Sequence, residues 1–134
     1  MNTDKDNDWT QSEENLNNLT ERIIGCAFRV HNVLGCGFAE KVYENALVHE
    51  LRKCGLTVTQ QFEIDVIYDG VSVGKYFADV VVEALVLVET KAVRSFDDGH
   101  TAQCLNYLAA TQFPLCLLIN FGKRVEVKRL RRRQ

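Results

Sequence analysis

The sequence contains no apolar run approaching the ~18 residues of a membrane-spanning helix, so it does not read as a helical membrane protein. It has no CxxC pair. Its five cysteines, Cys26, Cys36, Cys54, Cys104 and Cys116, are scattered and odd in number. That spacing speaks against a zinc or iron–sulfur site and against a disulfide framework, and points to buried free thiols in a reducing cytoplasm. The chain has one proline, no internal repeat and no linker-like stretch. With 134 residues, 46% of them hydrophobic, it reads as one soluble globular domain large enough to bury a core without staples. Neither sign of charge dominates: the net charge of −2 announces no nucleic-acid binder. The polar, acidic N-terminus is unlike a secretory signal, and the expected location is cytoplasmic.

The charge that is present is unevenly placed. Asp4, Asp6, Asp8, Glu13, Glu14 and Glu21 fall in the first 21 residues, whereas the last 12, KRVEVKRLRRRQ, hold seven Lys or Arg. A basic tail can contact phosphates, but charge alone favours a solvated terminus. Residues 1–17 lack periodicity and are expected to be a disordered acidic segment ahead of a single domain over 18–134.

Hydrophobic spacing then lays out the domain. Asn18 and Glu21 fit a capping box, and Leu19, Ile23, Ala27, Val30 and Leu34 repeat at helical spacing until Gly35-Cys36-Gly37 breaks the pattern. A second helix is expected over Ala39–Cys54, with Tyr43, Leu47 and Leu51 on one stripe and Gly55 as its stop. Phe62, Ile64, Val66 and Tyr68 alternate as a strand, and Asp69-Gly70 suits a hairpin turn. Strands are expected at Val71–Val82 and Leu85–Val93. A helix capped by Asp97 or Asp98 then ends before Pro114, followed by the short strand LCLLIN and a last strand or ragged edge, RVEVKRL. The order α-α-β-β-β-α-β-β describes an α/β fold, a central mixed sheet flanked by helices.

One strand carries an anomaly. In ALVLVETKAV, Ala84 to Val93, Glu89 and Lys91 share a face with Leu87. An antiparallel hairpin centred on Ala84 pairs residues whose numbers sum to 168, which sets Asp79 opposite Glu89 with Cβ atoms ~5 Å apart. Two opposed carboxylates near a sheet centre repel, and a divalent cation in an oxygen-rich shell relieves that repulsion. Lys91, one pleat further on, can offset charge on a phosphate or help deprotonate an attacking water. A purely structural Glu–Lys–Asp cluster explains the same residues equally well.

Asp79 followed by Glu89-Thr90-Lys91 resembles the signature of the PD-(D/E)XK nuclease superfamily. Gly37-Phe38-Ala39-Glu40-Lys41-Val42-Tyr43 resembles the GxxExxY motif of one family within it, and Gln103-Cys104-Leu105-Asn106-Tyr107 resembles the QxxxY motif of another branch. The likeness runs from about Leu19 to Leu130 and includes AQCLNYL and LLINFG; Ala78 stands where the superfamily's name has proline. It implies a restriction-endonuclease-like core and a nuclease acting on nucleic acid, with DNA the expected substrate and Mg²⁺ or Mn²⁺ the cofactor. Asp79, Glu89, the carbonyl of Thr90 and Glu40 would hold the ion. Asp79, Glu89, Lys91 and Glu40 would be catalytic, and Gln103, Tyr107 and Tyr43 would lie against substrate. His31, His49 and His100 are expected to be ordinary helix residues. The competing reading is a nuclease-fold module that binds nucleic acid or a protein without cutting. RVEVKRL is an edge at which a homodimer could pair.

Overall fold

In the computed structural model, the backbone is described for residues 3–133 and the side chains for residues 11–133. The elements are α1 (Thr3–Leu34), α2 (Glu40–Lys53), β1 (Val58–Tyr68), β2 (Val71–Val82), β3 (Val86–Lys91), α3 (Asp98–Ala109), β4 (Leu115–Phe121) and β5 (Val125–Arg131). The α-α-β-β-β-α-β-β order holds. The strands form one sheet in the order β1-β2-β3-β4-β5, antiparallel throughout except for the β3–β4 pair. That parallel pair is joined by α3, because parallel neighbours need a crossover.

The sheet separates two cores. On one face α1 and α2 cover Val80, Val82, Val86, Val88, Leu115, Leu117, Ile119 and Phe121. Tyr43, Leu47 and Leu51, the stripe read from the sequence, are fully buried there. Each such side chain contributes roughly 1.5–3 kcal/mol by leaving water. On the other face α3 brings Cys104, Tyr107 and Leu108 onto Ile64, Val81, Leu87, Cys116 and Leu118. β4 is buried along its whole length because helices cover both of its faces.

The first helix differs from expectation. It begins at Thr3 and runs through residues 3–17, so Asn18 and Glu21 lie inside it and form no capping box. The buried stripe extends back to Leu16, and Arg131 makes a two-pronged ion pair with Glu13 at 2.7 and 3.0 Å. Arg129 Nη2 donates to Asn17 Oδ1 at 2.6 Å. Long-range docking onto β5 therefore orders a polar segment whose local pattern does not demand a helix. The thiols also divide: Cys26, Cys104 and Cys116 are buried as expected, whereas Cys36 and Cys54 are exposed.

Candidate active site at the end of the β2–β3 ladder

The hairpin register agrees with the sequence reading. Val80 pairs with Val88, Val81 with Leu87 and Val82 with Val86, each pair summing to 168. The backbone ladder stops there and side chains take over. Asp79 N–H donates to Glu89 Oε1 at 2.9 Å, while Thr90 N–H and Thr90 Oγ1 donate to Asp79 Oδ2 at 2.8 and 2.9 Å. Each carboxylate thus binds the backbone of the other strand, replacing the ladder bonds that would have followed. Asp79 is half-buried, and Glu89 is 2% exposed.

β1 supplies a third member of this row. Gln60 pairs with Val80 and Phe62 with Ala78, both sums being 140, which sets Gln61 across from Asp79. Gln61 has φ 55°, a left-handed conformation that costs a non-glycine residue free energy. Its amide donates to both Glu44 carboxylate oxygens at 3.1 and 3.2 Å. Glu44 also accepts from Gln60 at 2.6 Å and from Lys41 at 2.9 Å, and is 2% exposed.

Burial pushes the Glu89 carboxyl up to about 8, with the neighbouring charge of Asp79 adding to the rise. Burial also raises Asp79, against the opposing Thr90 hydrogen bonds. Glu40, in the first turn of α2, is raised by burial and pulled back by Lys91. For Glu44, burial is outweighed by the bonds from Gln60, Lys41 and Gln61, and its carboxyl lies below the usual range. Without a cation the site thus favours a proton on Glu89 and the charged form of Glu44.

From Lys91 a polar line runs to α3. Lys91 Nζ donates to Gln103 Oε1 at 3.4 Å, and Gln103 Nε2 donates to Tyr107 Oη at 3.0 Å. Tyr107 is 4% exposed, and burial pushes its phenol up to about 12. The i,i+4 pair expected from the sequence is thus in contact and reaches the Glu89–Lys91 strand.

One expectation needs correction. Tyr43 does not face a substrate. It is fully buried and stacks on Phe121 at 4.7 Å; its hydroxyl donates to Gly35 O at 2.6 Å and accepts from Phe38 N–H at 3.3 Å. It shapes the turn that launches α2. Among the described residues no group of three or more His, Cys, Asp or Glu side chains is gathered to hold an ion. Asp79 and Glu89 accept from backbone and hydroxyl donors, Thr90 giving both its N–H and its hydroxyl to Asp79. What remains is a pair of buried carboxylates whose charges disfavour one another, a donor set that suits a divalent cation.

The histidines behave as ordinary residues of the fold. His100 forms a reciprocal cap with Asp97, His49 is exposed, and His31 Nε2 donates to Gly122 O at 2.8 Å. Sequence reasoning missed Glu44, Gln60, Gln61 and Asn120. Asn120 is fully buried and clamps Val93 from both sides, accepting from its N–H at 2.9 Å and donating to its carbonyl at 2.8 Å. LLINFG contained the signal: an asparagine within an otherwise apolar strand needs a buried partner.

A family model described as the PD-(D/E)XK nuclease superfamily matches residues 17–132. The chain belongs to the PD-(D/E)XK nuclease superfamily. Members of the superfamily generally use divalent metals. A solved structure, that of an alkaline exonuclease from Laribacter hongkongensis, is 14% identical, with 80% of this chain and 76% of that one covered and a TM-score of 0.49. No curated protein matches the sequence. No described helix is long and apolar enough to cross a membrane.

Proposed function

We propose that this PD-(D/E)XK protein hydrolyses phosphodiester bonds in nucleic acid, with DNA as the substrate class and Mg²⁺ or Mn²⁺ as the cofactor. The supporting observation is the row at the end of the β2–β3 ladder: Glu89 accepts from Asp79 N–H and Asp79 accepts from Thr90 N–H, beside Lys91, which is tied through Gln103 to Tyr107. The cation, when bound by Asp79 and Glu89, supplies Lewis acidity to the phosphate and to an attacking water. Thr90 fixes the direction of the Asp79 carboxylate through two donors. Lys91, steadied by Gln103, offsets negative charge on the phosphate and orients the water. Glu40 stands at the start of α2 within the field of Lys91 and Asp79, where its raised carboxyl can hold or release a proton. The GxxExxY resemblance supports giving Glu40 this role, and a cytoplasmic setting agrees with the free thiols.

The test is cleavage of single- and double-stranded DNA and of RNA with Mg²⁺ or Mn²⁺. The wild type should cut, and Asp79→Ala, Glu89→Ala and Lys91→Ala should each lose at least about a hundredfold in rate, given the electrostatic role assigned to them. Equal activity of wild type and Asp79→Ala on every substrate would overturn the proposal.

A module that binds without cutting is the competing reading. Thermal melts separate the two readings: a nuclease site gains stability with added Mn²⁺, and a silent module does not. A homodimer through β5 is the weaker expectation for assembly. Arg129 and Arg131 on that edge strand already bind α1, and Lys128 Nζ donates to Thr101 Oγ1 at 3.2 Å.

A further inference from the structure

The basic C-terminal run is largely engaged within the chain. Lys128 binds Thr101, Arg129 binds Asn17 and Thr20, Arg131 binds Glu13, and Arg132 donates to the carbonyls of Leu108 and Thr111. Arg94, Lys123 and Arg124 are different. All three are exposed, and none forms a side-chain hydrogen bond or ion pair with a described residue. They line a cavity of about 830 Å³ together with Gly37, Phe38 and Gly122. One carboxylate, Glu126, also lines it, and accepts from Asn120 Nδ2 at 3.4 Å.

This cavity adjoins the candidate active site along the chain in two places. Gly37 and Phe38 lead into Glu40, and Ala92 to Arg94 follow Lys91 directly. Its floor is fixed before any ligand arrives. Asn120 holds both backbone groups of Val93, and His31 holds the carbonyl of Gly122. A Cβ at Gly122 would lie 3.2 Å from both Asn120 Nδ2 and Val93 O, so that close approach favours a glycine. Phe38, 49% exposed, offers an aromatic surface at the rim.

We infer that the Arg94–Lys123–Arg124 cavity binds the sugar-phosphate backbone of the nucleic-acid strand entering the Asp79–Glu89–Lys91 site, with Phe38 available to a base. The inference rests on the nuclease reading and gives that site its substrate track. Three exposed cations lining one cavity can meet the phosphates of a strand, and an aromatic face beside them suits a single-stranded segment. Of the C-terminal arginines, Arg129, Arg131 and Arg132 are occupied by their own protein.

The experiment is fluorescence anisotropy of labelled single- and double-stranded DNA and RNA oligonucleotides across a salt series, with Ca²⁺ and again with chelator. The full chain is compared with Arg94→Gln/Lys123→Gln/Arg124→Gln and with a tail control, Lys128→Ala/Arg133→Ala. The exposed substitutions are checked by thermal melting. The groove variant should bind at least about tenfold more weakly and lose up to about 2–3 from its log–log salt slope, near one for each phosphate contact removed. The control should stay within about twofold. The groove variant should still hydrolyse bis(p-nitrophenyl) phosphate at the wild-type rate, because that ester is too small to reach the cavity. Unchanged binding by the groove variant, or loss confined to the tail control, overturns the inference and leaves the nuclease reading intact. A wild type that neither binds any oligonucleotide nor hydrolyses the small ester overturns both.

Discussion

The protonation state of Glu89 makes metal-free stability depend on pH in a direction opposite to that of a salt-bridged carboxylate. An ordinary glutamate titrates near 4.5, and in the fold Glu89 titrates near 8. Between these values the native chain holds a proton that the unfolded chain has released, so stability falls as pH rises through this window. At about 1.4 kcal/mol for each pH unit, the interval from 4.5 to about 8 sets a ceiling near 5 kcal/mol. Water entry and side-chain relaxation reduce this, and a loss of about 2 kcal/mol between pH 5.5 and 8.5 is a reasonable expectation. For a chain of this length it lowers Tm by about 6–10 °C. The assay is thermal unfolding in chelator at several pH values, for wild type and for Glu89→Gln. The amide keeps an oxygen for Asp79 N–H but does not titrate. Glu89→Gln should therefore have a flatter profile and exceed the wild type at pH 8.5. Parallel profiles would refute the assignment. In the same assay, Mn²⁺ at a hundred times its dissociation constant should restore about 2.7 kcal/mol to the wild type at pH 8.5 and little to Glu89→Gln.

Thr90→Val removes one of the two Thr90 donors to Asp79 Oδ2; it should cost about 1 kcal/mol in urea unfolding and lower kcat more than it raises KM. Asn120→Ala leaves both backbone groups of Val93 without their clamp; a loss of about 1–3 kcal/mol is expected, with faster hydrogen exchange at Val93. Tyr43→Phe removes the bond to Gly35 O while keeping the ring on Phe121; it should cost about 1 kcal/mol by unfolding, and a loss of oligonucleotide affinity at unchanged stability would return Tyr43 to the substrate surface. Gln61→Gly should relieve the left-handed backbone yet free Glu44. Its predicted signature is near-unchanged Tm with reduced activity, and a rise of several degrees at full activity would show that Gln61 has no part in the site.

The β2–β3 register was legible because it depends on local information. Apolar residues fill the paired ends of both strands, Val80 to Val82 and Val86 to Val88, and the turn between them is short. Glu83 and Ala84 take positive φ, 54° and 53°, as a tight turn requires. The Gln103–Tyr107 contact was legible for the same reason, since four residues on a helix return to one face. Gln61 and Glu44 could not be found this way. Their roles need two registers to be correct at once, β1 on β2 and β2 on β3, with α2 laid across the result. The start of α1 was hidden by composition: residues 11–17 are polar except Leu16, and they are docked by Arg129 and Arg131 more than a hundred positions away. The fate of the basic tail was hidden likewise, because a run of arginines looks the same whether it meets solvent, phosphate or its own helices.

The way the β2–β3 ladder ends gives a reason for putting charge in so apolar a strand. β3 keeps its pairing to β4 through Lys91, while its pairing to β2 stops at Val88. Beyond that point Asp79 and Glu89 each serve as the other strand's backbone partner. Without a ligand, burial and the neighbouring Asp79 charge favour a proton on Glu89. Releasing that proton leaves two negative charges where water has little access, and the cost falls on the folded state. A divalent cation removes the cost by binding the deprotonated pair, so cation affinity should rise with pH across the interval in which metal-free stability falls. Thr90 and Gln61 keep this region from collapsing in the meantime: one fixes the Asp79 carboxylate, and the other holds Glu44 through a strained backbone. The strand's apolar residues, buried on both faces against α1, α2 and α3, anchor β3 rigidly enough for its last three residues to carry that unstable charge.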